Sequence, residues 1–318
     1  MISNFKINNR QLVLQDKKDA DTVWTHIEKP SEEQIQQLSR EYQLPKDYLT
    51  AILDDSENSR EEGLEQAVFH KAILILLQFP HEVVDENGYI QFKTYPLSLI
   101  ITTDQKILTV SNRPPLFFDF IHEQSLPVND MSIEINLFLQ VLWRLVISYN
   151  DCLKKMKRHL ENLEKQIQVS TENKQLYQLM NFQKSLVLFE SASQGNYDTL
   201  MTLSQTSVFT KNHAYQNNLH DVLVEVRQAR TSIHIQLQLT QHMTDIFSAV
   251  VSNNLNNVMK ILTSLTIVLT IPTIIGGIFG MNVSLPFSKN ESAFFFISVI
   301  TLVLCWIAIR YLKKKNLL

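Results

Sequence analysis

The chain has 318 residues, with 29 Lys and Arg against 32 Asp and Glu for a formal net charge of −3. That length holds one large or two modest domains, and a near-neutral balance argues against a nucleic-acid binder. The two cysteines, Cys152 and Cys305, lie far apart in sequence and read as reduced, buried residues, which excludes a disulfide framework or a cysteine zinc site. The opening stretch, MISNFKINNR, has no apolar core, so no signal peptide is expected.

Residues 1–125 alternate strand-like and helix-like segments. Phe5–Ile7, Gln11–Leu14 and Val23–Ile27 read as short strands. Ser31 and Gln34 form a capping-box pair at a helix start, with Glu32 and Glu33 in the first turn and Ile35 and Leu38 at helical spacing. Pro45–Leu53 predicts a second helix with proline in its first turn. Strand-like runs follow at Ala67–Phe79, Tyr89–Thr94, Leu97–Thr102 and Lys106–Ser111, with Asn87-Gly88 as a hairpin signal and a turn at Asp104-Gln105. Pro114 and Pro115 mark the change to helix. The region is an α/β domain with a mixed sheet. It contains no phosphate loop, dinucleotide fingerprint or catalytic-triad spacing, so no enzymatic activity is expected.

Residues 126–257 read as a helical pair and a stalk. Ile133, Ile135, Phe138, Leu139, Leu142 and Leu145 carry a long helical period. A break at Val169-Ser170-Thr171 precedes a second helix over about Asn173–Gln194, which Gly195 is expected to stop. From His213 the pattern meets neither Pro nor Gly until Pro272. A run of roughly 60 residues extends on the order of 90 Å at about 1.5 Å per residue, which predicts a stalk or coiled coil. His213, His220, His234 and His242 along it lack metal-ligand spacing and read as solvated or packing residues.

Residues 258–318 read as a membrane hairpin. The first span, 258–279, has one charge, Lys260, at its leading edge, and the second covers 294–312. Phe294, Phe295 and Phe296 mark one interface of the second span, and Trp306 and Tyr311 approach the other. The tail carries Arg310, Lys313, Lys314 and Lys315, while the loop Val283–Ala293 holds one Lys and one Glu. The basic tail stays inside by the positive-inside rule. Two spans then place both termini and the large amino-terminal region in the cytoplasm.

The first span is not uniformly apolar. Thr263, Thr266, Thr270 and Thr273 share one helical face, which Asn256 and Met259 extend backward and Gly277 and Gly280 extend forward. Lipid cannot satisfy hydroxyls, so that face must meet other helices or a water-filled lumen. By spacing alone, helix packing through Gly276-x-x-x-Gly280 and pore lining are equal readings. Pro272 sits mid-span, where a kink is tolerable if a neighbouring group satisfies the freed carbonyl.

Gly280-Met281-Asn282 closes this span after Asn256-x-Val-Met-Lys and a proline, with one more span to follow. In this the chain resembles the CorA family of divalent-cation transporters, specifically over about residues 213–312 and in architecture before that. The resemblance implies an α/β cytoplasmic domain, a long helical stalk and two C-terminal transmembrane helices, assembled as a homopentameric, funnel-shaped channel in the cell membrane. It implies a selectivity filter at Gly280, Met281 and Asn282, whose amide ring would hold hydrated Mg2+ without stripping its water. Asn282 as a helix C-cap is the plainer reading. Lining the pore would be Asn256, Met259, Leu262, Thr263, Thr266, Thr270, Thr273 and Gly277, with Met259 and Leu262 either an apolar constriction or simple packing. The basic tail would ring the cytoplasmic mouth, and it is at least an anchor.

Asp221 and Glu225, one turn apart on the stalk, have no basic residue three or four positions away. They read as a solvated acidic face, or, by the resemblance, as part of an intersubunit regulatory magnesium site completed by Glu82. The tip between the paired helices, QVSTENKQ, holds only Glu172 as acid and departs from the family's acidic tip. The expected function is uptake of magnesium, with cobalt or nickel as further substrates, down the electrochemical gradient and gated by cytosolic Mg2+. Mg2+ would be both cargo and regulator. The expected partners are further copies of the chain, the lipid bilayer and divalent cations, and no nucleic acid. The alternatives are a zinc or other divalent-cation transporter of the same fold, and a non-transporting, membrane-anchored coiled-coil scaffold.

Overall fold

The computed structural model describes residues 1–64, 71–122, 132–169, 172–281, 292–315 and 317. Contacts divide the chain into two compact units, Met1–Thr244 and Asp245–Leu318.

The first unit is built on a seven-stranded mixed sheet: β1 (Ile2–Asn8), β2 (Gln11–Gln15), β3 (Thr22–Glu28), β4 (Arg60–Glu62), β5 (Ile73–Val84), β6 (Ile90–Ile101) and β7 (Ile107–Ser111). The spatial order is β2-β1-β3-β7-β6-β5-β4, and only β3 and β7 run parallel. Alternation along the strands divides the apolar residues between two faces. Ile27, Leu74, Leu76, Leu108 and Val110 turn to one side, where they pack with Ile35, Leu38, Leu49 and Ile52. Those partners come from α1 (Glu32–Glu41), α2 (Asp47–Thr50) and a 3-10 turn, Ala51–Leu53. The capping box is formed: Gln34 N–H donates to Ser31 Oγ and Ser31 N–H donates to Gln34 Oε1. Trp24 and Phe79 are fully buried on the other side. There Phe118, in the 3-10 turn before α3 (Asp119–His122), packs edge-on to Trp24. Phe92, also fully buried, meets Phe189.

The β5–β6 hairpin turns where Asn87-Gly88 predicts it. Gly88 takes φ +80°, and Asp85 accepts N–H bonds from Asn87 and Tyr89. The Tyr89 N–H, foremost, holds the Asp85 carboxyl below its ordinary value. Two expectations need correction. Tyr89–Thr94 and Leu97–Thr102 are one strand, not two, despite Pro96. Pro96 faces Gln78, whose N–H and C=O both point away from it to the Asn196 side chain. At such a non-hydrogen-bonded pair no ladder bond needs the proline nitrogen.

The second correction concerns Gly195. The helical pair is α4 (Ile133–Val169) and α5 (Asn173–Ser204), and α5 runs through Gly195 rather than ending there. A Cβ at Gly195 would lie 3.3 Å from Ser59 Oγ, so the glycine lets the helix approach the chain leading into β4. The next residue, Asn196, holds the helix in place: it accepts from Ser59 Oγ and Gln78 N–H and donates to Gln78 O, each at 2.8 Å. After α6 (Ser207–Thr210) comes α7 (His213–Phe279), a 67-residue helix with Pro272 inside it. Leu219, Val222, Val226, Ala229 and Ile233 form its buried stripe in the first unit. The second unit pairs the remainder of α7 with α8 (Ala293–Lys314). Both helices are long and apolar enough to cross a membrane.

Candidate functional site

Spacing fixes how the second unit presents α7. Ser264, Val268, Ile271 and Ile275 are among its sheltered positions, and Ile297, Thr301, Cys305, Ala308 and Leu312 are among those of α8. Steps of three and four make each set a single stripe, so the two helices pack stripe to stripe. At about 100° per residue, Thr266, Thr270 and Thr273 fall roughly opposite the α8-facing stripe. Asn256, Met259, Leu262, Thr263, Thr266, Thr270, Thr273 and Gly277 are all exposed in the single chain.

The threonine hydroxyls are turned inward to their own backbone. Thr266 Oγ1 donates to Leu262 O at 2.9 Å, Thr270 Oγ1 to Thr266 O at 2.7 Å and Thr273 Oγ1 to Leu269 O at 2.9 Å. Each proton is thereby used, and what the oxygens offer outward is acceptor lone pairs. Gly276 and Gly277 have open space where a Cβ would stand. Gly280 N–H closes on Gly276 O at 2.9 Å just past the helix end, and Met281 follows, exposed. Asn282 lies outside the described residues.

Among the described residues, two polar contacts join α7 to α8 and the tail. Ser264, only 1% exposed, donates to Leu317 O at 2.7 Å, and Cys305 Sγ donates to Val268 O at 3.8 Å. The first holds the basic stretch against α7. Lys313 and Lys314 sit in the last turn of α8, where cations suit the helix dipole, and Lys315 N–H caps it on Tyr311 and Leu312 carbonyls. Arg310 lies over the Trp306 ring at 5.4 Å.

The acidic residues belong to the first unit. Asp221 is exposed on α7, and Glu225 is half-buried and accepts from Asn150 Nδ2 at 3.1 Å. Glu82, on β5, meets Lys155 Nζ at 3.0 Å, and that hydrogen bond raises the Lys155 pKa. Glu82 and Lys155 border a cavity of ≈ 650 Å³ shared with His81, Phe120, Arg144 and Cys152. Burial lowers the His81 pKa, with Arg113 adding to it, and burial pushes the Cys152 thiol up to about 12. Among the described residues of one chain, no three His, Cys, Asp or Glu side chains group to hold a metal. The four stalk histidines are exposed.

The family model of the CorA-like Mg2+ transporter proteins matches residues 19–314. The chain belongs to that family. It is a divalent-cation transporter of the CorA type. It is 24% identical over 300 residues to the cobalt/magnesium transport protein CorA of Methanocaldococcus jannaschii, covering 94% of this chain and 92% of the relative. It is 23% identical over 170 residues to the magnesium transport protein CorA of Helicobacter pylori, about half of each chain. In fold, the complete structure of the M. jannaschii CorA magnesium transporter matches with a TM-score of 0.77 at 21% identity, over 98% of this chain and 96% of that one. Full-length CmaX matches at 0.57 with 12% identity, over 98% and 97%.

In this CorA-like chain Gly280 and Met281 directly follow the end of α7 at Phe279. Two contributors escaped sequence reasoning. Ser264 lies one residue off the threonine stripe, and Cys305 reads only as a buried thiol. The signal for Cys305 was available, because Pro272 marks Val268, four residues back, as the carbonyl needing a donor.

Proposed function

We propose that five copies of this chain surround the threonine-bearing face of α7 and conduct Mg2+ into the cell, driven by the membrane potential. The pentamer and the cell membrane, with both termini cytoplasmic, are carried over from the CorA resemblance and the basic tail. The observation that carries the reading is the inward turn of the Thr266, Thr270 and Thr273 hydroxyl protons. A hydrated cation presents water hydrogens outward, so a lumen suited to it offers acceptors. Mg2+ keeps its water tightly, and an acceptor-lined path with an amide ring at Asn282 would pass the ion hydrated. A divalent ion crossing about 100 mV gains roughly twice 2.3 kcal/mol, so no nucleotide is required. Met259 and Leu262 would form the apolar constriction, ringed outside by Arg310, Lys313, Lys314 and Lys315.

The control element of the proposal is Asp221, with Glu225, opposite Glu82 of the adjacent copy. Cytosolic Mg2+ bridging them would hold the ring closed, and its loss would let the carboxylates repel and the constriction open. Lys155 already neutralises Glu82, so Mg2+ must compete with it, which suits weak binding by a sensor.

Uptake by purified protein in vesicles tests the reading. Mg2+ should enter under an inward gradient and an inside-negative potential, and Asn282→Ala should lower entry strongly while the protein still assembles. No uptake by the wild type would favour the membrane-anchored scaffold.

A further inference from the structure

Pro272 has no N–H, so the Val268 carbonyl, four residues earlier, lacks the N–H that an α-helix would normally give it. In a hydrocarbon environment no water is available to replace that bond. The group that faces this carbonyl is the Cys305 thiol of α8, at a sulfur–oxygen distance of 3.8 Å, and thiols are weak donors. Cys305 is also the middle position of the α8 stripe that packs against α7, and Val268 belongs to the matching stripe of α7. The geometry points to Cys305 as the donor that replaces the amide lost at Pro272. It is thereby a positioning residue for the pore-side face of α7.

The consequence follows from where the proline sits. Thr270 and Thr273 flank Pro272, and their direction depends on how the helix bends there. Proline bends a helix by pushing away the carbonyl four residues back. A donor on α8 that holds this carbonyl fixes the bend relative to α8. The threonines then point to the far side. The inference rests on the pore reading only for its effect on transport, not for the bond itself.

The test begins with Cys152→Ala in the full-length protein, which leaves Cys305 as the one thiol. Its infrared S–H stretching band should lie at the lower frequency of a hydrogen-bonded thiol. Pro272→Ala in that background restores an N–H to Val268 and should move the band toward that of a free thiol. A free-thiol band with Pro272 present, or one that Pro272→Ala leaves in place, overturns the proposal whatever the protein transports.

The second arm is a double-mutant cycle on Mg2+ uptake. Cys305→Ala should slow uptake about fivefold, the factor equivalent to one net hydrogen bond of roughly 1 kcal/mol. Cys305→Ser, which keeps a donor, should stay within about twofold of the wild type. In the Pro272→Ala background, Cys305→Ala should change uptake by less than about twofold. An equal loss in both backgrounds would make Cys305 mere packing and contradict the inference.

Discussion

Replacing Asn196 by Ala removes the clasp between α5 and the sheet. Asn196 is 2% exposed and reaches the N–H and C=O of Gln78, just beyond the three-residue strand β4. The Tyr149 hydroxyl still donates to Gln78 O at 2.9 Å after truncation, so the carbonyl keeps one partner. The N–H keeps none. An orphaned buried donor costs about 1–3 kcal/mol, and the lost amide–carbonyl bond about 1 kcal/mol more. The expected loss is about 3 kcal/mol, roughly a hundredfold in the folding equilibrium. Hydrogen exchange at the Gln78 amide reads the effect at its source, and chemical denaturation of the full chain in detergent reads the total. Ser59→Ala, which removes only a half-exposed hydroxyl, should cost less than about 1 kcal/mol. If Asn196→Ala leaves denaturation within about 0.5 kcal/mol of the wild type and Gln78 protected, the clasp has no such role.

Variants at three positions of the first unit give further expected outcomes. Burial holds the His81 pKa below its unfolded value, so the unfolded chain binds the proton first as pH falls. The contribution is full above about pH 6.5 and declines below it. His81→Gln should therefore flatten stability between about pH 7.5 and 5.5, and an unchanged slope would contradict the assignment. Lys155→Met should alter stability by less than about 1 kcal/mol, since the pair with Glu82 is largely exposed. By freeing Glu82 it should let lower internal Mg2+ close the channel, read as current against internal Mg2+. In the same recording Asp221→Ala should need more Mg2+ to close, and curves identical to the wild type for both would sink the control element.

What the sequence makes legible is local. The capping box at Ser31 and the turn at Asn87-Gly88 depend on residues a few positions apart. Features that escape it join distant segments. Arg60-Glu61-Glu62 has no strand character of its own and becomes β4 by pairing with β5. Gly195 continues α5 because its lack of a side chain admits Ser59, 136 positions earlier in the chain, while Asn196 bonds to β5. Pro96 leaves β6 intact because it stands at a non-hydrogen-bonded pair with Gln78 and just beyond the β7 ladder, which begins at Leu97. The threonine stripe is read from spacing, but the direction of its hydroxyl protons is not. Glu82 likewise reads as an available acid until Lys155 is seen beside it.

The claim on which the account rests is that ions pass along the α7 face opposite α8. Single cysteines at Thr266, Thr270 and Thr273, in a chain carrying Cys152→Ala and Cys305→Ser, place thiols on that face. Cysteines at Ile271 and Ile275 place them against α8. Charged, water-soluble thiol reagents should modify the first three quickly and block Mg2+ uptake as they do so, while Ile271→Cys and Ile275→Cys react slowly and keep uptake. Equal reactivity on both faces, or faster reaction at Ile271→Cys and Ile275→Cys, would contradict a path on the threonine side.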